Sequence, residues 1–260
     1  MNFFFQLSGR GLSSAVQVPC FRNDGRSKSA ALQLYGAVVT GGKWRFRDLE
    51  EFRSDSFYEV DGSNAPEDEI YFYADRSGFA EVVREGKLLP TEKFTQTSPN
   101  FRANLCVRNE MGAFSSYQAE YPYGMTLRKG CIVSEPGLLV EESCIRAGVF
   151  LRNIFHLPVN EKRVCYLLDE IGDRVVRTFY VYNNQSNFID LTQYIPRLKD
   201  YIICLPDMLC APIYVVENAD HSLSFEHTHP PSAYIGRRNH SEIISNFKQR
   251  YVDIIDKASS

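Results

Sequence analysis

The feature that most constrains the fold is a series of short apolar runs between Ser143 and His229, each followed by turn residues. Turn signals that return about every 8 to 12 residues are typical of antiparallel sheets. The spacing predicts about seven strands, as in a sandwich of two sheets. We therefore expect a β-sandwich-like back half.

Two of these runs predict a hairpin. Residues 163–169 and 174–182 flank the polar sequence Glu170-Ile171-Gly172-Asp173. Successive side chains of a strand point to opposite faces, so every second residue shares a face. In the second arm this alternation predicts one common face for four residues: Val175, Arg177, Phe179 and Val181.

The end of the chain has helical rather than strand periodicity. Apolar residues recur at helical spacing from about Ser241 to Ala258, and Asn239 and Glu242 have the spacing of a capping box. The apolar stripe is broad, which predicts a helix that packs on the body of the protein. Its members are Ile243, Ile244, Phe247, Tyr251, Ile254, Ile255 and Ala258.

The front half has short apolar runs at residues 3–7, 15–21 and 31–39, separated by Gly and Ser clusters. Residues 70–73 read as a further strand, followed by a helix that ends at Gly86. We expect a β-rich α+β protein with two units. Residues 1–130 form a small α/β N-terminal unit, and residues 131–260 form a β-sandwich-like unit with a C-terminal helix.

Charge and cysteine content narrow the classes of partner. The formal net charge is -3 and the pI is about 6.0, whereas nucleic-acid binders carry a basic excess. No apolar run approaches the roughly 18 residues of a membrane span, and the N-terminus lacks the basic start of a secretory signal. The 7 irregularly spaced cysteines predict reduced, buried thiols. We expect a soluble cytoplasmic protein that binds neither nucleic acid nor membrane.

The segment from residue 108 to residue 123 combines charged, hydroxyl and tyrosine side chains around a Gly turn. Aromatic faces can stack on a ligand, and polar groups can fix its orientation. An irregular surface segment with tyrosine rings packed at its base fits the same composition. We take seven residues as candidate binding residues: Arg108, Glu110, Ser115, Ser116, Tyr117, Glu120 and Tyr123.

A second candidate is a metal site near the end of the last strand. On an extended strand His227 and His229 lie on one face, and two histidines at this spacing can bind a divalent transition metal such as zinc or iron. His156, His240 or an acidic residue would supply a third ligand. Leu223 and Phe225 share the same face, which favours a structural or hydrogen-bonding role for both histidines over a metal site.

A third candidate comes from a resemblance. Tyr71-Phe72-Tyr73-Ala74-Asp75, a helix and the run Gly86-Lys87-Leu88-Leu89-Pro90 resemble the strand, turn, helix and Gly opening of ADP-ribosyltransferase-like folds, over about 20 of 260 residues. Gln118-Ala119-Glu120 is similar to that family's catalytic Gln-x-Glu pattern. The resemblance implies a transferase that consumes NAD, with a cleft beside residues 71–86.

The other motifs that would name a reaction are absent from the sequence. Neither Ser115 nor Ser116 lies in Gly-x-Ser-x-Gly, and no phosphate-binding Gly loop is present. The sequence therefore favours a protein that binds a small molecule or another protein in a tyrosine-rich pocket between two β-rich units. The metal-dependent enzyme and the transferase are the alternatives.

Overall fold

The computed structural model of the protein describes residues 2–5, 11–19, 32–49, 52–53, 57–61, 68–75, 86–87, 89, 104–117, 121–122, 131–227 and 240–259. Within these ranges the protein is a strand-rich α+β structure with four sheets, two 3₁₀ helices and a C-terminal helix. The strand pairs whose register is described are antiparallel.

The chain forms two compact units. Unit 1 contains residues 1–126, 152–161 and 183–186, and unit 2 contains residues 127–151, 162–182 and 187–260. Two short segments from the back half of the sequence therefore belong to the unit that the front half builds.

Unit 1 contains two five-stranded sheets, with orders β10-β1-β7-β3-β4 and β5-β6-β2-β8-β9. Its strands are β1 Asn2–Phe5, β2 Leu12–Pro19, β3 Leu32–Thr40, β4 Lys43–Asp48, β5 Phe52–Arg53, β6 Phe57–Asp61, β7 Ile70–Asp75, β8 Asn104–Asn109, β9 Phe114–Tyr117 and β10 Tyr121–Pro122. The predicted runs at 3–7, 15–21 and 31–39 correspond to β1, β2 and β3.

An ion pair between a buried carboxylate and a half-exposed guanidinium lies against β3. Glu69 is 1% exposed, and its carboxylate accepts two hydrogen bonds of 2.6 Å from the Arg47 guanidinium of β4. The pKa of Arg47 is raised, chiefly by the hydrogen bond to Glu69. The carboxylate fits there because β3 has no side chain at Gly36, where a Cβ atom would collide with the Glu69 carboxylate oxygen.

The two segments that the back half contributes to unit 1 are joined by asparagine side chains. The amide of Asn184 accepts a hydrogen bond from Phe155 N at 2.7 Å and donates to the carbonyls of Leu157 and Val159. Asn183 donates to the same Val159 carbonyl at 2.6 Å. Both asparagines are buried, so their side chains replace the backbone partners that residues 155–159 would find in a sheet.

Trp44 connects this joined segment to β4. It is the one tryptophan in the sequence and is 2% exposed. Its indole N–H donates to the backbone carbonyl of His156 at 2.9 Å, and the same carbonyl accepts a bond from Leu89 N at 2.8 Å. Three parts of unit 1 that are distant in sequence therefore meet at one carbonyl oxygen.

Unit 2 contains two four-stranded sheets, with orders β11-β16-β13-β14 and β15-β12-β17-β18. Its strands are β11 Ile132–Ser134, β12 Cys144–Arg152, β13 Lys162–Asp169, β14 Arg174–Tyr182, β15 Asn187–Asp190, β16 Tyr201–Leu205, β17 Ala211–Asn218 and β18 Leu223–His227. The 3₁₀ helices are Pro136–Leu139 and Thr192–Asp200, and the C-terminal helix is His240–Ser259.

Two apolar clusters form the core of unit 2. The larger cluster combines buried residues from both sheets, among them Val149 of β12 and Leu167 of β13. The smaller one packs Tyr251, Ile254 and Ile255 of the C-terminal helix against the other face of the β11-β16-β13-β14 sheet. The prediction of a helix from about Ser241 to Ala258 that packs on the body is confirmed.

The predicted hairpin is confirmed as β13 and β14, but one detail of its faces is wrong. A bulge lies where Leu167 pairs with Arg177 and Leu168 pairs with Val175. Val176 consequently packs in the larger cluster with Phe179 and Val181, while Val175 packs in the cluster under the helix. An extra residue in one strand reverses the alternation beyond it, which the alternating pattern alone does not reveal.

Candidate functional site

The tyrosine-rich segment begins with a well-formed hairpin of β8 and β9. Asn109 organises its turn, because the Asn109 side chain accepts a bond from Ala113 N at 2.9 Å while its carbonyl accepts one from Gly112 N at 3.1 Å. Gly112 has φ of 85°, a left-handed value that glycine adopts without strain. The loop therefore presents its side chains from a defined backbone.

The hairpin distributes the candidate binding residues over two faces. Arg108 pairs with Phe114, and Cys106 pairs with Ser116, so these positions share one face of the sheet. Val107 pairs with Ser115 and Leu105 with Tyr117 on the opposite face. The structure thus separates Ser115 from Ser116. Glu120 and Tyr123 lie outside the described residues, and Tyr117 is described by its backbone.

The hairpin exposes two large apolar groups, Met111 in its turn and Phe114 at the start of β9. Met111 is 67% exposed and Phe114 is 65% exposed, although apolar groups of this size are usually buried. The Arg108 side chain is 51% exposed and lies 3.9 Å from the carboxylate of Glu59. We call Arg108, Met111, Phe114 and Ser116 the hairpin surface.

Glu110 and Glu59 define the charge around the hairpin surface. Glu110 is exposed in the turn, with its carboxylate beside Gly11. Glu59 is held on β6 by a 2.8 Å bond from the Gln17 side chain. The ion pair of Arg108 with Glu59 contributes little to stability, because the charged atoms are 3.9 Å apart and the Arg108 side chain is half exposed to water.

The candidate metal site is described in part. His227 is the last residue of β18, where its backbone pairs with Ile213, and His229 lies outside the described residues. The backbone carbonyl of His156 accepts a hydrogen bond from Trp44, and the His156 ring packs at a tilt against the Phe155 ring, with the two centroids 4.4 Å apart. In the part of the chain that is described, no three His, Cys, Asp or Glu side chains converge as a metal site. Metal binding stays a prediction.

Sequence reasoning missed a histidine held by a buried carboxylate in the turn between β17 and β18. His221 Nδ1 lies 3.0 Å from Glu217 Oε1, and Arg146 lies 3.5 Å from the other carboxylate oxygen. His221 has φ of 65° and precedes β18, so it belongs to the turn. The polar run Asn218-Ala219-Asp220 before it was the available signal.

The ADP-ribosyltransferase-like resemblance also stays a prediction. Residues 70–75 form strand β7, as that resemblance implies. The helix expected between residues 75 and 86 and the Gln118-Ala119-Glu120 triplet lie outside the described residues. Gly86 has φ of 60°, and its carbonyl accepts a 2.7 Å bond from Trp44 N, so a structural role accounts for this glycine.

No family model matches the chain, and neither a curated protein nor a solved structure matches it.

No helix in the described ranges has the length and apolar character needed to cross a membrane. Among the described residues, the hairpin surface combines the exposed side chains of Met111 and Phe114 with the cation of Arg108, and Phe114 lies on β9, the last strand in the order of its sheet. Exposed apolar patches rimmed by polar groups occur at protein interaction sites.

Proposed function

We propose that this protein binds another protein through the hairpin surface. The observation that carries the proposal is the exposure of Met111 and Phe114 on an ordered hairpin. Burial of a side chain of this type contributes about 1.5–3 kcal/mol relative to leaving it in water. Aromatic residues, methionine and arginine are enriched at protein interfaces, and the hairpin surface holds one of each.

The position of β9 supports a partner that binds in an extended form. Among the described strands, β9 pairs with β8 alone and ends the sheet order. An extended segment of a partner can add to such an edge by backbone hydrogen bonds, while alternate side chains select its sequence. Phe114 and Ser116 would contact one set of partner side chains, and Arg108 favours an acidic residue among them.

A photo-crosslinking experiment tests the proposal without knowledge of the partner. A benzophenone amino acid replaces Phe114 in the full chain, and cells are irradiated. The matched control replaces Ile171 of unit 2, which is 76% exposed and lies outside the hairpin surface. We expect a discrete protein adduct from position 114 and none from position 171. Equal adducts at both positions, or none at 114, would contradict the proposal.

A binding measurement on the crosslinked partner then tests the mechanism. Phe114→Asp removes an exposed ring and is expected to weaken binding by about 30-fold, the loss typical of a central interface residue. Ile171→Asp should leave the affinity unchanged. Equal affinity of both aspartate variants for the partner would show that the hairpin surface is not its binding site.

Two further inferences concern the architecture of unit 2 and the location of the protein in the cell. We infer that unit 2 is a two-layer sandwich, supported by the single apolar cluster that draws residues from both of its sheets.

We also infer a cytoplasmic location. The cysteines at 106, 131, 144, 165, 204 and 210 are free thiols, which supports a reducing compartment.

A further inference from the structure

Two cysteines of unit 2 meet under the C-terminal helix. Val133 of β11 pairs with Cys204 of β16, and Cys131 stands two residues before Val133. Residues directly opposite and two positions along share a face of a sheet, so Cys131 and Cys204 are diagonal neighbours. Both pack in the cluster that the helix covers, with Cys204 fully buried and Cys131 half-buried.

The two thiols differ in their ionisation. A hydrogen bond from the Cys204 thiol lowers the pKa of Cys131, and the nearby Lys248 ammonium lowers it further, against opposing contributions from burial and from Asp207. The same hydrogen bond and burial raise the pKa of Cys204. A thiolate is the reactive form of cysteine, so Cys131 is the nucleophile of the pair.

Lys248 connects this chemistry to the helix. Its ammonium donates a 2.6 Å hydrogen bond to the backbone carbonyl of Cys131. The contact brings a positive charge to Cys131 from the helix and also joins the helix to the start of β11. A change in the position of Cys131 consequently reaches the helix directly.

We propose that Cys131 and Cys204 are a dithiol pair that hydrogen peroxide oxidises to a disulfide beneath the C-terminal helix. The Cys131 sulfur attacks peroxide: an S–O bond forms, the O–O bond breaks, and the departing hydroxide takes a proton to become water. The Cys204 sulfur then attacks the Cys131 sulfenic acid. The S–S bond forms, the S–O bond breaks, and the hydroxide leaves as water with the Cys204 proton. Two thiols are oxidised and one peroxide is reduced to two waters.

The order of the two steps follows from the surroundings of each sulfur. Cys131 is half-buried and can be reached by peroxide, whereas Cys204 is enclosed. The first-named cause of the raised pKa of Cys204 is its hydrogen bond to Cys131. Oxidation of Cys131 to the neutral sulfenic acid removes the anion that this bond stabilises, which frees the Cys204 thiol to ionise and attack.

Closure of the disulfide requires a local movement. Diagonal strand neighbours have Cα atoms about 7–8 Å apart, and a disulfide needs about 4.4–6.8 Å. Cys131 precedes the first paired residue of β11, Ile132, so its backbone lies outside the ladder of β11 and β16. Its approach to Cys204 would break the bond from Lys248 and loosen the first half of the helix.

The primary test uses the wild-type full chain. Reduced protein is treated with hydrogen peroxide, remaining thiols are alkylated, and disulfide-linked peptides are mapped by mass spectrometry. We expect one link, between Cys131 and Cys204, and faster hydrogen exchange in residues 240–250 of the oxidised protein. A link between other cysteines formed first, or Cys131 found as sulfinic acid without a link, would overturn the proposal.

Variants of the helix separate reactivity from packing. Lys248→Met is expected to slow oxidation of Cys131 at neutral pH roughly threefold to tenfold, because the thiolate fraction falls. Lys248→Arg keeps the charge and should retain most of the rate. Lys257→Met, on the same helix and exposed, is the control and should leave the rate unchanged. Equal rates in Lys248→Met and Lys257→Met would refute the role of Lys248.

Cysteine variants check the second step. In Cys204→Ser the proposal predicts that Cys131 stops as the sulfenic acid, trapped by a dimedone probe, with no intramolecular link. Cys144→Ser, which removes a buried thiol elsewhere in unit 2, should form the Cys131 to Cys204 link at the wild-type rate. If Cys204→Ser does not fold, the presence or absence of the Cys131 to Cys204 link in the wild-type chain still tests the proposal.

Discussion

At the scale of single residues, Asn184 combines an unusual backbone with several buried contacts. Its φ is 57°, in the left-handed region where asparagine is tolerated better than most residues. The side chain accepts from Phe155 N and donates to two carbonyls, all within unit 1. The same residue therefore turns the chain and satisfies the backbone that the turn leaves without sheet partners.

Substitution of Asn184 should separate these two roles. Asn184→Ala loses the hydrogen bonds and also carries the left-handed penalty, for an expected loss of about 3 kcal/mol in unfolding free energy. Asn184→Gly loses the same bonds but relaxes the backbone, so we expect it to be more stable than the alanine variant by about 1 kcal/mol. Urea unfolding followed by circular dichroism measures both. Equal stability of the two variants would show that φ carries no cost here.

Asp169 gives unit 2 a dependence on acid pH. A hydrogen bond from Gly172 N, supported by Arg197 and Arg174, lowers the pKa of the Asp169 carboxyl below its ordinary value. A lowered carboxyl pKa stabilises the folded state above the unfolded pKa, about 3.9, and this contribution is lost as the pH falls through the folded value. Asp169 sits at the end of β13, where it joins the hairpin turn to two cations.

We expect Asp169→Asn to be less stable than wild type at pH 7 and the difference to shrink below about pH 4. The asparagine cannot titrate but keeps an oxygen for Gly172 N. Urea unfolding at pH 7, 5 and 3 gives the comparison. Asp173→Asn, at a carboxylate that is 68% exposed, is the control and should show a small, nearly constant effect. A gap at Asp169 that does not change with pH would contradict the expectation.

At the scale of elements, the β3 and β7 region depends on a missing side chain. Glu69 leads into β7 and occupies the space beside Gly36 of β3 while it pairs with Arg47 of β4. Gly36 pairs with Tyr71 and Arg47 in the sheet, so β3 is central there. One carboxylate therefore connects three neighbouring strands.

A double-mutant cycle tests this arrangement. Gly36→Ala forces a methyl group against the Glu69 carboxylate and should destabilise the protein by about 2 kcal/mol. In the Glu69→Ala background the space is open, and the same substitution should cost well under 1 kcal/mol. Thermal unfolding of the four proteins gives the coupling. Equal costs in both backgrounds would place the strain elsewhere.

The C-terminal helix holds to its sheet through a narrow set of residues. Ile254 is 4% exposed and packs in the smaller cluster of unit 2. Ile254→Ala removes buried methyl groups and should destabilise the protein by about 2–4 kcal/mol. Lys257→Ala, one turn away on an exposed position, should change stability by less than about 0.5 kcal/mol. Chemical denaturation of both variants checks the contrast; similar losses would mean that the helix is held by its propensity and not by packing.

At the scale of the whole molecule, local patterns predicted much of unit 2. The polar sequence at 170–173 and the apolar runs beside it specified the β13 and β14 hairpin, and the helical period specified residues 240–259 within a residue or two. Both signals act over neighbouring positions, where a pattern of side chains directly reflects the backbone. The bulge at Val176 depends on the partner strand and escaped the same reasoning.

Contacts between residues that are distant in the chain could not be predicted from the sequence. Trp44 meets the His156 carbonyl across 112 positions, and no local pattern announces such a pairing. The faces of the candidate binding residues, in contrast, could be predicted, because strict alternation already places Ser115 and Ser116 on opposite faces of a strand. The composition of that segment suggested one pocket, whereas the backbone period divides its residues between two surfaces.

The position of Trp44 has an optical consequence. Because Trp44 is the one tryptophan in the sequence, fluorescence excited at the red edge of the aromatic absorption band comes from this residue alone. Because Trp44 is 2% exposed and shielded from water, we expect a blue-shifted emission. A red shift of the emission would therefore report the separation of β4 from the 152–161 segment. Changes under the C-terminal helix would not alter this emission.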